Sequence, residues 1–220
     1  NVFQTLFTII SPGWGTAGFF IGMIVCTAIT VVPVVYGYEG PKWVAYVSVI
    51  FLVVPIAYLI SVLLGQAGGL THVAATYKPK QPVSFVFGIT LVIGAWIFGT
   101  ITSADWIRLG KSKWSLLAPP IGLVIGESLV LILAAVTVAA TMGATWNPIE
   151  ATLKLGTFAA VVCCIMYLFA MWDTQAPTAW SASLQFANVF WRPKTLFAII
   201  LSFLAPLLAI LVQYSTGAFN

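Results

Sequence analysis

The sequence consists largely of long apolar stretches, each about the length of a membrane-spanning helix, separated by short polar segments. A hydrocarbon core of about 30 Å requires roughly 20 apolar residues in a helix. Of the 220 residues, 6% are charged and 61% are hydrophobic, whereas ordinary soluble domains carry about 25% charged residues. The sequence therefore predicts an all-α polytopic membrane protein, with a single transmembrane helical domain over 1–220. Six spans are predicted, at about 16–37, 43–65, 83–104, 115–141, 155–188 and 194–213.

Basic residues are unevenly divided between the predicted loops, and this division indicates an orientation. Cytoplasmic loops carry an excess of Lys and Arg. One side of the predicted serpentine has six such residues and the other has three, so the first side is predicted to be cytoplasmic. The first set is Lys42, Arg108, Lys111, Lys113, Arg192 and Lys194, and the second is Lys78, Lys80 and Lys154.

Two predicted spans contain residues that interrupt helices. The span 83–104 has Gly94 and Gly99 around an aromatic centre, and the span 155–188 has Pro177 shortly after an acid and an amide. Backbone that leaves the helix at membrane depth must face protein or a water-filled cavity. Interrupted helices near the bilayer midplane are typical of transporter binding sites. We therefore expect both helices to be unwound near their centres.

Two carboxylates stand inside predicted spans, where a charge costs at least about 2.5 to 3.5 kcal/mol. Asp173 precedes Thr174 and Gln175, and together with backbone carbonyls these groups offer the oxygens that a hard cation prefers. The same acid is equally suited to carry a proton, or to be hydrated near the cytoplasmic mouth. Glu127 is interpreted either as a structural glutamate bonded to a neighbouring helix or as a group that contacts substrate or the coupling ion.

Three further residues are candidates for gating or substrate contact. Trp96 lies between two glycines at mid-depth, where an indole can stack on a flat solute or pack against another helix. Asp105 and Arg108 are spaced i, i+3 at the inner end of their span, which favours a structural ion pair and leaves gating as the alternative.

The sequence offers little for metal or nucleic-acid chemistry. Cys26, Cys163 and Cys164 lie in apolar runs without Cys-x-x-Cys spacing, and His72 is the only histidine. These thiols are interpreted as small apolar side chains, and His72 as a solvated residue in a polar loop from Gln66 to Pro82. No cofactor, nucleic-acid partner or enzymatic activity is predicted.

Several short motifs occur in a fixed order over about half of the chain. These are Pro79-x-Gln81-Pro82, Gly94-Ala95-Trp96, Thr102-Ser103-Ala104-Asp105-Trp106-Ile107-Arg108, Gly126-Glu127-Ser128, Trp172-x-Thr174-Gln175 and Ser183-Leu184-Gln185-Phe186-Ala187-Asn188. With this set the chain resembles the nucleobase cation symporters, the family of cytosine permeases and hydantoin transporters. The resemblance implies a five-plus-five inverted-repeat fold, in which these spans are the fourth to ninth helices and residues 1–10 end the third.

The resemblance also implies roles for individual residues. Trp96 would stack on the heterocycle with Ala95 presenting backbone to it, and Gln175, with Glu127, would read its polar edge. A cation would be held by Asp173, Thr174 and Ala170. The family usually has a hydroxyl at the position of Asp173, and this departure leaves Na⁺ and H⁺ open as coupling ion.

The function implied is cation-coupled symport of a nucleobase or related heterocycle of the cytosine, purine, allantoin or hydantoin type. A chain of this kind is expected in the plasma (inner) membrane, with the lipid bilayer and a small heterocyclic substrate as partners. Helices of the same protein that precede Asn1 are expected to complete the site. The alternatives are a transporter of an amino acid or vitamin with the same fold, and a membrane scaffold or intramembrane enzyme.

Overall fold

The computed structural model describes residues 13, 15–78, 84–110, 112–145 and 147–215, apart from the side chains of 95–104 and a few others within helices. The regular structure in these residues is helical. In chain order the helices are α1 (Gly15–Val35), α2 (Glu39–Gln66), α3 (Leu70–Thr76), α4 (Phe85–Ile107), a 3₁₀ turn (Lys113–Leu116), α5 (Ala118–Ala140), α6 (Pro148–Leu153), α7 (Thr157–Phe190) and α8 (Lys194–Ser215).

Within the described residues, five helices are long and apolar enough to cross a membrane. They are Gly15–Val35, Glu39–Gln66, Pro120–Ala140, Thr157–Phe190 and Lys194–Val212. The prediction of an integral, all-helical membrane protein is therefore confirmed. The remaining predicted span, 83–104, corresponds to α4, of which the fully described apolar part, Phe85–Gly94, is shorter than a bilayer crossing.

The expectation that two helices are unwound at their centres is wrong. Both α4 and α7 are continuous, and α7 runs through Pro177 without a break. Proline removes one backbone donor and glycine removes none, whereas each unsatisfied backbone group in lipid costs several kcal/mol. Pro177 leaves only the Asp173 carbonyl without its helical donor, and the next carbonyl, that of Thr174, accepts the Thr178 hydroxyl at 2.7 Å. The helix is retained because unwinding would expose more backbone than the proline does.

The loops also differ from the prediction. The segment expected to be a polar loop contains the short helix α3. Helix α6, likewise unpredicted, is capped by Asn147, whose side-chain oxygen accepts the Ile149 N–H at 3.0 Å, as is usual at helix N-termini. The connection between α1 and α2 is short, because α1 ends at Val35 and α2 already begins at Glu39.

The described chain divides into two compact units. The first contains α1, α2 up to Leu52, α7 from Cys164 onward, and α8, while the second comprises Val53–Cys163. In the second unit, Leu59 is fully buried and the Tyr58 and Phe158 rings meet edge to face with centroids 5.8 Å apart. The buried Thr137 hydroxyl donates to the Leu133 carbonyl of its own helix, so this polar side chain is satisfied without a partner from another helix.

The turn between α1 and α2 is closely packed. Gly37 has φ +80°, a left-handed conformation that favours glycine. Gly40, in the first turn of α2, lies so close to the Pro33 carbonyl that a β-carbon at Gly40 would overlap it. The Nζ of Lys194 lies 2.9 Å from the place a β-carbon on Gly37 would occupy. The α1–α2 and α7–α8 turns therefore lie at the same end of this unit, the end that the Lys and Arg distribution predicts to be cytoplasmic.

Gly40→Ala is expected to destabilise the protein by about 1 to 3 kcal/mol, because the new methyl group must displace backbone of α1. Gly65→Ala is the matched control, since Gly65 lies in the same helix with nothing within 4 Å of its added β-carbon and should gain up to about 1 kcal/mol. Thermal unfolding of the two variants in detergent should move the midpoint in opposite directions. Equal shifts would contradict the close approach at Gly40.

Candidate functional site

A proline in α1 leaves one backbone carbonyl without its helical donor. Pro33 lies inside α1, and because proline has no N–H, the carbonyl four residues earlier, that of Ile29, has no donor within the helix. The indole Nε1–H of Trp172, on α7, donates to this oxygen at 2.8 Å. A hydrogen bond between residues 143 positions apart therefore replaces the one that the proline removed.

A second polar contact lies beside the first. Thr30 is 6% exposed, and its hydroxyl donates to the Gln175 side-chain oxygen at 3.3 Å. Trp172 and Gln175 are three residues apart and share one face of α7. We call these four residues, Ile29 and Thr30 with Trp172 and Gln175, the α1–α7 polar contact. It fixes the rotation of α7 with respect to α1.

Aromatic packing supports Trp172 from the other side. The rings of Phe51, on α2, and Phe169, on α7, stack with centroids 4.1 Å apart and an interplanar angle of 7°. The Phe169 ring lies 5.8 Å from that of Trp172 at 53°. Such pairs contribute about 0.5 to 1.5 kcal/mol beyond the area they bury. The indole is thereby oriented so that its N–H reaches α1.

Asp173 stands next to this contact and is half-buried. Its carboxylate makes no hydrogen bond or ion pair with any residue in the described part of the chain. Pro177 lies four residues further on, so the backbone carbonyl of Asp173 also has no helical donor. With about 1.5 Å of rise per residue, Asp173 lies about 24 Å from Thr157 and about 26 Å from Phe190. A carboxylate and a carbonyl without a helical donor therefore belong to the same residue, at the middle of a helix that is longer than the hydrocarbon core of about 30 Å.

The predicted cation-binding residues share one face of α7, but not all of their oxygens are free to bind a cation. Ala170 is three residues before Asp173 and four before Thr174, so the three lie along one stripe. The Thr174 hydroxyl donates to the Ala170 carbonyl at 2.9 Å. Two of the expected oxygens are thus bonded to each other, and a cation at this face would share them with that hydrogen bond.

Gln175, predicted to contact substrate, has a partner within the protein, and its contact with substrate stays a prediction. Its side-chain oxygen accepts the Thr30 hydroxyl, so in this structure that atom serves helix packing. Sequence reasoning missed Ile29 and Thr30 altogether. The position of Pro33 inside an apolar run was the available signal, since a proline in a membrane helix marks the carbonyl four residues earlier as one that needs a partner.

The remaining predicted residues lie in the second unit. Glu127 is half-buried near the middle of α5. Arg108 Nη2 lies 4.0 Å from Asp105 Oδ1 at the end of α4, with the arginine side chain 53% exposed, so the pair contributes little to stability and its gating role stays a prediction. The side chains of Ala95 and Trp96 lie outside the described residues, and their contact with substrate stays a prediction.

No protein-family model and no curated protein matches this chain. Among the described residues, no group of three or more His, Cys, Asp or Glu side chains is placed to hold a metal ion.

Trp172→Phe is expected to lower the free energy of unfolding by about 1 kcal/mol, because the Ile29 carbonyl loses its donor while the ring packing is largely kept. The matching background is Pro33→Ala, which returns the helical N–H to that carbonyl. A double-mutant cycle on thermal unfolding should show a smaller cost of Trp172→Phe when Pro33 is replaced. The same cost in both backgrounds would contradict the assignment.

Proposed function

We propose that this protein is a secondary active transporter that couples movement of a small heterocyclic solute to a cation through the mid-membrane face of α7. The single observation that carries the proposal is Asp173. A carboxylate at the centre of a membrane helix is costly, and ionisable residues of this kind mark ion pathways and proton relays. Because the Asp173 carboxylate has no bonding partner among the described residues, binding of an exchangeable ion is favoured over a structural role.

The arrangement around Asp173 supports a cation in particular. The carboxylate can carry a negative charge or bind a proton. The backbone carbonyl of Asp173, which lacks a helical donor because of Pro177, offers a second oxygen without unwinding of the helix. Hard cations take oxygen ligands from carboxylates and carbonyls. Either Na⁺ or H⁺ fits this chemistry, and neither requires the broken helices expected from the sequence.

The five-plus-five repeat and the substrate class, a nucleobase-like heterocycle, are proposed on the resemblance alone. In that scheme α1 and α8, which line one groove in the first unit, would be the fourth and ninth helices.

A second candidate function, a membrane scaffold, is favoured by the α1–α7 polar contact. Gln175 and Trp172 are both used to join helices, which is how polar residues act in helix packing within membranes. Under this alternative, Asp173 would likewise serve association with another helix.

Asp173→Asn is expected to abolish ion-driven accumulation of substrate, because the amide neither carries the negative charge nor takes up the proton. Binding of substrate should weaken by only a few-fold. The measurement is uptake of radiolabelled cytosine, adenine, allantoin or hydantoin by the protein in liposomes under a Na⁺ or H⁺ gradient. Glu39→Gln is the matched control, since Glu39 is an exposed carboxylate paired with Lys42 at the start of α2.

Unimpaired uphill uptake by Asp173→Asn would remove this residue from the coupling mechanism. Failure of the unaltered protein to bind any flat heterocycle would instead favour the scaffold. The two results are distinguishable because the first concerns only the variant.

A further inference from the structure

Unpaired positive charge and exposed aromatic rings are concentrated at one end of the first unit. Lys42 is paired with Glu39 at 2.9 Å, whereas Arg192 and Lys194 make no ion pair with any residue that the structure describes. Nearby, the Trp191 side chain is 91% exposed and that of Tyr36 is 77% exposed. Aromatic rings with Lys and Arg in this combination are typical of the headgroup level of a membrane.

An apolar groove of about 360 Å³ lies between α1 and α8 below this end. Ile24 and Ala28 form part of one wall, and Phe203 and Leu207 part of the other. The polar side chain in the lining, Thr27, already donates its hydroxyl to the Met23 carbonyl at 2.8 Å. The groove therefore offers surface for hydrocarbon and no free hydrogen-bonding side chain for a polar solute.

The groove and the charges lie along the same pair of helices. Lys194 is the first residue of α8 and its Nζ lies at Gly37, directly after α1. With 1.5 Å of rise per residue, Phe203 and Leu207 lie about 13 and 20 Å below Lys194. One leaflet of the hydrocarbon core is about 15 Å thick, half of about 30 Å. The upper part of the groove, at Phe203, thus lies within the depth that an acyl chain reaches when its headgroup is at Lys194.

We propose that the α1–α8 groove and the cations above it form a binding site for one anionic phospholipid. The phosphate lies at Lys194 and Arg192, and one acyl chain reaches into the upper part of the groove, between Ala28 and Phe203. Charge complementarity selects an anionic headgroup, while the apolar lining selects a hydrocarbon chain. A lipid held here joins α1 to α8, and it is independent of the solute and ion at α7.

The test uses the full chain, delipidated in detergent and titrated with phosphatidylglycerol while bound lipid is counted by native mass spectrometry. One phosphatidylglycerol is expected to bind more tightly than phosphatidylcholine. Lys194→Gln and Arg192→Gln should each weaken it about fivefold, and Ala28→Trp, which fills the groove, should weaken it more. Inorganic phosphate at the same concentration should not compete, because it lacks the chain.

The matched controls are Lys154→Gln, an exposed lysine in the second unit, and Val124→Trp, a replacement at an exposed position of α5. Neither should change lipid binding. Equal affinity for the two lipids, or full binding by Lys194→Gln and Arg192→Gln, would overturn the headgroup assignment. Full binding by Ala28→Trp, competition by inorganic phosphate, or a second copy of the chain in place of the lipid would overturn the acyl-chain assignment.

Discussion

The hydrogen bond from the Trp172 indole to the Ile29 carbonyl is the contact on which the first unit depends. Lipid offers no hydrogen-bond partners, so a proline in a membrane helix leaves a carbonyl that only protein or buried water can satisfy. Pro33 creates that need and Trp172 meets it. The bond fixes which face of α7 packs against α1, and it thereby leaves Asp173 on a different face. The position of the candidate ion site follows from this packing.

The places of the five long apolar helices were predictable because apolar length is a direct physical requirement of the bilayer. The continuity of α7 was not. A proline beside an acid and an amide suggested unwinding, but the cost of further unsatisfied backbone in lipid outweighs the loss of one donor. The short helices α3 and α6 were also missed, since both are too short to show an apolar period. Helix α6 has in addition a local cap, the side chain of Asn147.

The candidate site was predictable in part for a similar reason. Asp173 stands out in any apolar sequence because of what a charge costs there. The use of Gln175 could not be predicted, because its oxygen bonds a threonine that lies 145 positions away in the chain. Pairings of this kind depend on tertiary packing. The same limit applies to the α1–α8 groove, whose two walls come from the first and the last described helices.

The central proposal, that Asp173 binds an exchangeable cation, requires its carboxyl group to face a water-accessible path and not lipid or packed protein. The most direct measurement is labelling of Asp173→Cys by a charged, membrane-impermeant thiol reagent, in a background where Cys26, Cys163 and Cys164 are replaced by alanine. The account predicts that this thiol is labelled and that bound substrate or coupling ion slows the labelling. Met171→Cys, an exposed apolar position of the same helix, should stay unlabelled. Equal resistance of both thiols to the reagent would contradict the account.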